Sequence, residues 1–131
     1  MNLQVLYRKH ENLVDKIYKD LKKRRYNFQL IGRHVNYGVS YNKVIDEIDL
    51  VQYSHLNNDT HYFVLHEVKG SYKQTRKGIK QLRRAYKYLI NNYPDKKIRV
   101  FCMLERGYYN DKIGKYYNTK WLTKKDLRIK N

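Results

Sequence analysis

The chain has 131 residues, 41% of them hydrophobic with one proline, which suits a single domain on one core and leaves no length for a second. Its 29 Lys and Arg against 12 Asp and Glu give a formal charge of +17, so polyanions are the expected partners, nucleic acid first and anionic membrane second. Cys102 is the only cysteine, which excludes a disulfide framework, a cysteine-based zinc module and a four-cysteine iron-sulfur site.

The first residues, MNLQVLYRKHE, reach charge within eight positions, and no apolar run is long enough for a membrane span. An intracellular protein with neither secretory signal nor membrane anchor is therefore expected. Residues 3 to 25 set Leu6, Leu13, Val14, Ile17, Tyr18 and Leu21 at helical spacing, with Lys and Arg opposite, and predict an amphipathic helix. Glu11 falls at the edge of the apolar face, Asp15 points outward, and His10 falls within the face as a hydrogen-bonded core histidine. NFQLIGRHV (27 to 35) mixes apolar and polar residues like a strand, and NYGVSYN, with Gly38, reads as a turn.

Two apolar runs follow, each with acids in its middle. Val44, Ile45, Ile48, Leu50 and Val51 surround Glu47 and Asp49; Tyr62, Phe63, Val64, Leu65 and Val68 surround His66, Glu67 and Lys69. β-Branched and aromatic residues on both faces predict interior strands. Asn57, Asn58 and Asp59 between them predict a hairpin, and a hairpin centred on Asn58 sets Asp49 opposite Glu67, with Cβ atoms roughly 5 Å apart. Lys69, two residues after Glu67, then projects to the same face.

KQTRKGIKQLRRAYKYLINNY (73 to 93) predicts a second helix with Ile79, Leu82, Tyr86, Leu89, Ile90 and Tyr93 on one side. It carries Lys73, Arg76, Lys77, Lys80, Arg83, Arg84 and Lys87 and no acid, a row able to follow a phosphate backbone without reading bases. KIRVFCML (97 to 104) is a further interior strand. A strand, helix, strand order implies a right-handed crossover, so the fold class is α/β with a central mixed sheet flanked by helices. From Glu105 the chain reads as a basic, Tyr-rich extension with Trp121 and a short helix after Thr123.

Two opposed carboxylates in the interior repel and lose hydration, so something must compensate them. A hard divalent cation, Mg²⁺ or Mn²⁺, does so directly and would polarise a phosphate and acidify water. Lys69 on the same face could then hold the water or steady charge on the phosphate. An acid, any residue and a lysine recurs at Asp20, Glu67 and Asp95, so the tripeptide alone carries nothing. The setting of EVK does: an apolar strand, an acid-bearing strand before it, a basic helix after it. A plain salt bridge between Lys69 and one acid is the competing explanation.

EIDLV, a gap of about eighteen residues, then HEVKG and a helix starting near QTRKG resemble the PD-(D/E)XK nuclease superfamily, the restriction endonuclease-like fold. The likeness spans about residues 5 to 104 in the order αβββαβ, with 105 to 131 as the extension, although no proline precedes the motif's acid. The resemblance implies that Asp49 and Glu67 ligate the metal with the Val68 carbonyl, and that Lys69 is the catalytic lysine. By the same analogy Glu11 is the first-helix acid near the metal, and Gln81 the glutamine some branches carry on the second helix. Size, charge and architecture are most similar to archaeal-type Holliday junction resolvases, which implies a homodimer acting on branched DNA. A non-specific or exonucleolytic DNA nuclease is an alternative, and so is a non-catalytic DNA-binding protein that keeps the fold.

Overall fold

The computed structural model describes residues 3–24, 30–38, 46–55, 59–94, 97–110 and 114–130. Helix α1 (Leu3–Arg24) is followed by strands β1 (Leu30–Tyr37), β2 (Asp46–His55) and β3 (His61–Lys69), a 3₁₀ turn (Tyr72–Gln74), helix α2 (Thr75–Asn92), and strands β4 (Ile98–Asn110) and β5 (Gly114–Leu122). The five strands form one sheet in sequence order. β3 and β4, joined through α2, pair in parallel, and every other neighbouring pair is antiparallel. The architecture is thus α/β, a mixed sheet flanked by helices. No helix among the described residues is long and apolar enough to cross a membrane.

Alternation along β3 explains the two layers. Val68 points to one face, where it meets Leu50, Tyr117 and the α1 residues Val14, Ile17 and Leu21. Leu65, an odd number of residues away, points to the other, where it meets Cys102, Leu104 and the α2 residues Leu82 and Ala85. The apolar stripe expected of α1 is therefore the one that packs. On α2 the stripe is narrower than the sequence suggests: Ile90 and Tyr93 lie exposed. Leu6, Val44, Ile45, Asn57 and Asn58 fall outside what the structure describes in side-chain detail.

The β2–β3 ladder runs from His55↔His61 to Leu50↔His66, a register centred on residue 58. Residues 105 onward are no appendage. β4 continues to Asn110, and β5 pairs along it from Cys102↔Leu122 to Asn110↔Gly114. The helix expected after Thr123 is a single turn instead. Thr123 and Asp126 cap it reciprocally, the Thr123 N–H donating to Asp126 and the Asp126 N–H to the Thr123 hydroxyl. Leu127 seals the end of the α2-side core.

Candidate active site

The acids sit where the sheet opens. The ladder between β2 and β3 ends at Leu50↔His66, one step short of Asp49 and Glu67. Past that point the Val68 N–H donates to Asp49 Oδ2 at 2.8 Å, so a side chain takes the place of backbone pairing. Ile48, Asp49 and Leu50 are all buried, a break in the strict alternation of β2 that accompanies this splay. Asp49 is thereby drawn into the gap between strands, where both Glu67 on the α2 side and His10 of α1 reach it.

Asp49 and Glu67 are 4% and 3% exposed. Burial, then the neighbouring Asp49, push Glu67 well above the ordinary carboxylate range, so it keeps a proton and donates it to Asp49. Burial works against the ionised Asp49 as well, yet hydrogen bonds from His10, Glu67 and the Val68 N–H hold it below its ordinary value. The pair shares one proton. Glu67 Oε2 is buried with no hydrogen-bond partner.

His10 Nε2 donates to the Val68 carbonyl at 3.1 Å and lies 3.4 Å from Asp49 Oδ2. The hydrogen bond to Asp49 is the largest reason its basicity is raised. The structure thus moves His10 from an expected core histidine to a partially exposed group holding an acid. Beyond it Glu11 accepts from His34 Nε2 at 2.9 Å, and His34 Nδ1 lies 3.4 Å from Glu47. His34 adopts φ 50°, a left-handed conformation rare for a side-chain-bearing strand residue. The flanking pairs Arg33↔Leu50 and Val35↔Ile48 set it opposite Asp49, beside the acidic group. His34, Glu47 and Asp49 offer ligand atoms within 4.8 Å of one another. Asp49 thus belongs both to this group, which mixes imidazole and carboxylate donors, and to the buried pair it forms with Glu67.

Lys69 is 9% exposed and lowers Glu67's proton affinity by its charge. Among the described residues no carboxylate lies within 4.0 Å of its ammonium, so the simple salt bridge is not formed. Its stem runs across Gly78 of α2, where a Cβ would meet Leu104 Cδ1 at 2.4 Å and Lys69 Cγ at 3.3 Å. Only glycine lets the helix come this close. Gln81 is half-buried with its Oε1 enclosed and without a hydrogen-bond partner. Arg76, Lys77, Lys80, Arg84 and Lys87 are exposed along α2 and Lys73 beside it, with Arg83 half-buried. Arg84 pairs with Asp46 at 3.1 Å.

A second polar group was not legible in the sequence. His66 lies between Glu105 (3.0 Å) and the Gln52 Oε1 (2.7 Å), and Thr119 donates to Glu105. All but Thr119 are buried. Burial pushes the Cys102 thiol up to about 12, so thiolate chemistry at that residue is excluded. Comparison with family models, curated proteins and solved structures gives no match to the chain.

Proposed function

We propose that the protein is a metal-dependent nuclease that hydrolyses DNA phosphodiester bonds, with a restriction endonuclease-like core. The observation that carries this reading is the buried Asp49 and Glu67 pair, one proton between them, at the point where two strands separate. A protein gains no stability from such a pair; it makes sense as a site waiting for positive charge. The donors fit a hard divalent ion: Glu67 Oε2 is buried without a hydrogen-bond partner, Glu67 bonds to Asp49, and His10 spans Asp49 and the Val68 carbonyl. Asp49, Glu67 and the Val68 carbonyl would hold Mg²⁺ or Mn²⁺, with Glu11 nearby through His10. When bound, the ion supplies Lewis acidity toward phosphate and lowers the pKa of water.

The chain's own residues do the rest. Glu67 must release its proton for both acids to act as ligands. Lys69, whose ammonium has no carboxylate within 4.0 Å among the described residues and whose stem lies against Gly78, meets the charge that develops on the scissile phosphate. His10 holds Asp49 and the Val68 carbonyl in place and is a positioning residue. The exposed basic row of α2 follows the backbone, so selection rests on DNA structure rather than sequence. Branched duplexes, the four-way junction among them, are the expected substrates, and a homodimer would present two sites to one junction.

The test is cleavage of a labelled panel (linear duplex, single strand, flap, four-way junction) with Mg²⁺ or Mn²⁺, wild type beside Glu67→Ala and Lys69→Ala. Wild type should cut while both variants bind and lose on the order of 10²-fold or more in rate. If all three bind and none cuts any substrate with either ion, catalysis is abandoned and the fold is a DNA-binding scaffold.

A further inference from the structure

Beside the acids, and sharing His10 and Lys69 with them as wall, lies a cavity of about 830 Å³ between α1, the end of β3 and the paired strands β4 and β5. This is the size range of small-molecule sites, larger than the gap an inorganic ion needs. Among the described residues its lining contains no acid, and Lys9, Lys16 and Lys69 give it cationic side chains. Three tyrosines border it. Tyr72 and Tyr116 are 48% and 41% exposed, unusual for rings so close to a core. Tyr108 lies between them, 6.3 Å from Tyr72 in a stacked arrangement and 5.8 Å from Tyr116 edge to face.

Two of the rings are steadied by cations. The Arg106 guanidinium lies 4.4 Å from the Tyr72 ring centre and itself donates to Asn118 and Thr75. Lys16 Nζ lies 5.7 Å from Tyr116. Gly107 forms part of the floor, and a Cβ there would meet the Gly70 carbonyl at 2.9 Å and Leu13 at 3.1 Å. Asn12, Ser71 and Gln74 supply amide and hydroxyl groups at the rim. A flat, apolar, π-rich guest attached to negative charge matches every one of these features: aromatic faces for its ring, polar rim groups for its edge, lysines for its phosphate.

We propose that this cavity receives one unstacked nucleobase of the DNA, so that the strand is held by a base out of the helix next to the phosphate presented to Lys69. The proposal rests on the nuclease reading and narrows its substrate class to DNA with an unpaired nucleotide beside the cut, which a fully paired duplex or junction lacks. A base already outside the stack enters without the unstacking that a paired one requires.

The test measures binding without chemistry. Fluorescence anisotropy in EDTA compares a duplex of about 25 bp, long enough to span the domain, with the same duplex carrying one unpaired nucleotide, and with a fully paired four-way junction. Wild type should bind the interrupted duplex about tenfold more tightly than the intact one, the factor expected when a base stacks on aromatic rings. Tyr72→Ala and Tyr116→Ala should erase that preference with non-specific affinity unchanged, Tyr72→Phe should keep it, and Trp121→Ala, an exposed aromatic outside the cavity, should leave it intact. Equal wild-type affinity for interrupted and intact duplex, or preference for the paired junction, overturns the proposal while cleavage in Mg²⁺ would leave the nuclease reading standing. A tyrosine-dependent preference without cleavage by either ion supports the base site and defeats catalysis. No binding to any DNA at low salt overturns both.

Discussion

Glu67→Gln should stabilise the metal-free protein, and by an amount that grows with pH. In the unfolded chain Glu67 ionises near its ordinary value of 4.5; folded, burial and Asp49 keep it protonated far higher. It is an acid whose folded affinity for protons is raised, so folding takes up a proton and stability falls as pH rises above the unfolded value. Between pH 5.5 and 7.5 the folded state holds about one more proton at this pair, which lowers stability by on the order of 3 kcal/mol across the window. For a domain of this size that is a fall in Tm on the order of 8 °C. Glutamine keeps the shape and still donates to Asp49, but has no proton to lose.

His10 also binds its proton more tightly when folded, so its contribution is complete below its unfolded 6.5 and fades as pH rises through its folded value. Asp49 acts in the opposite sense and only at the acid end: its stabilisation is present above its ordinary 3.8 and is lost as pH falls below that. Neither is removed by the substitution. Thermal melts of wild type and Glu67→Gln in EDTA at pH 5.5, 6.5 and 7.5 therefore isolate Glu67 in the difference between the two curves. A difference that stays flat with pH, or a variant less stable than wild type at pH 7.5, would refute the shared-proton account of the site.

Gly78→Ala should destabilise although alanine is the better helix former, because overpacking against Leu104 and the Lys69 stem costs ~1–3 kcal/mol against ~1 kcal/mol of helix propensity regained; urea melts measure the sum, and single-turnover rates should fall as Lys69 is displaced. Glu105→Ala should cost about 3 kcal/mol by leaving His66 buried without its acceptor, and Glu105→Gln should restore much of it in the same denaturation assay. Lys80→Ala should leave Tm unchanged and reduce the slope of log affinity against log salt by about 0.9 on DNA of any sequence, read by titration at several salt concentrations.

Much of this site was written in local pattern. The turn-forming run between two apolar segments put the hairpin centre at residue 58, and the observed ladder has that centre, which sends Asp49 and Glu67 toward each other. Periodicity likewise placed Val14, Ile17 and Leu21 against the sheet. His34 escaped because its direction depends on a positive φ that alternation does not foresee. His10 was visible on the right helix face, but its partner, the Val68 carbonyl 58 residues away, is a backbone atom with no sequence signature. Glu105 looked like the first residue past a strand because a charge usually marks an exit; paired with His66 and Thr119 it is instead buried inside a longer one. β5 follows from that misplaced end. GKYYNTKWL is broken by Lys and Asn, and it becomes a strand through the open edge that the extended β4 presents, burying Tyr117 and Leu122.

The same longer β4 ties the fold to the chemistry. Had the strand stopped at Leu104, the end of β3 would have lost Glu105 and Arg106, the partners of Val68 and Lys69. Those pairings hold β3 rigid on one side while β2 peels away on the other. Asp49 can then leave the ladder without loosening Glu67 or Lys69. A buried carboxylate pair needs such an asymmetric support, because Asp49 and Glu67, if both of their strands were free to shift, would relax apart toward water rather than share a proton. The extension also delivers Gly107, Tyr108 and Tyr116 to the cavity beside Lys69. One continuation of one strand thus stiffens the acids and builds the aromatic wall next to them, so a chain ending after Leu104 should lose the strong coupling of the acids and the base preference together.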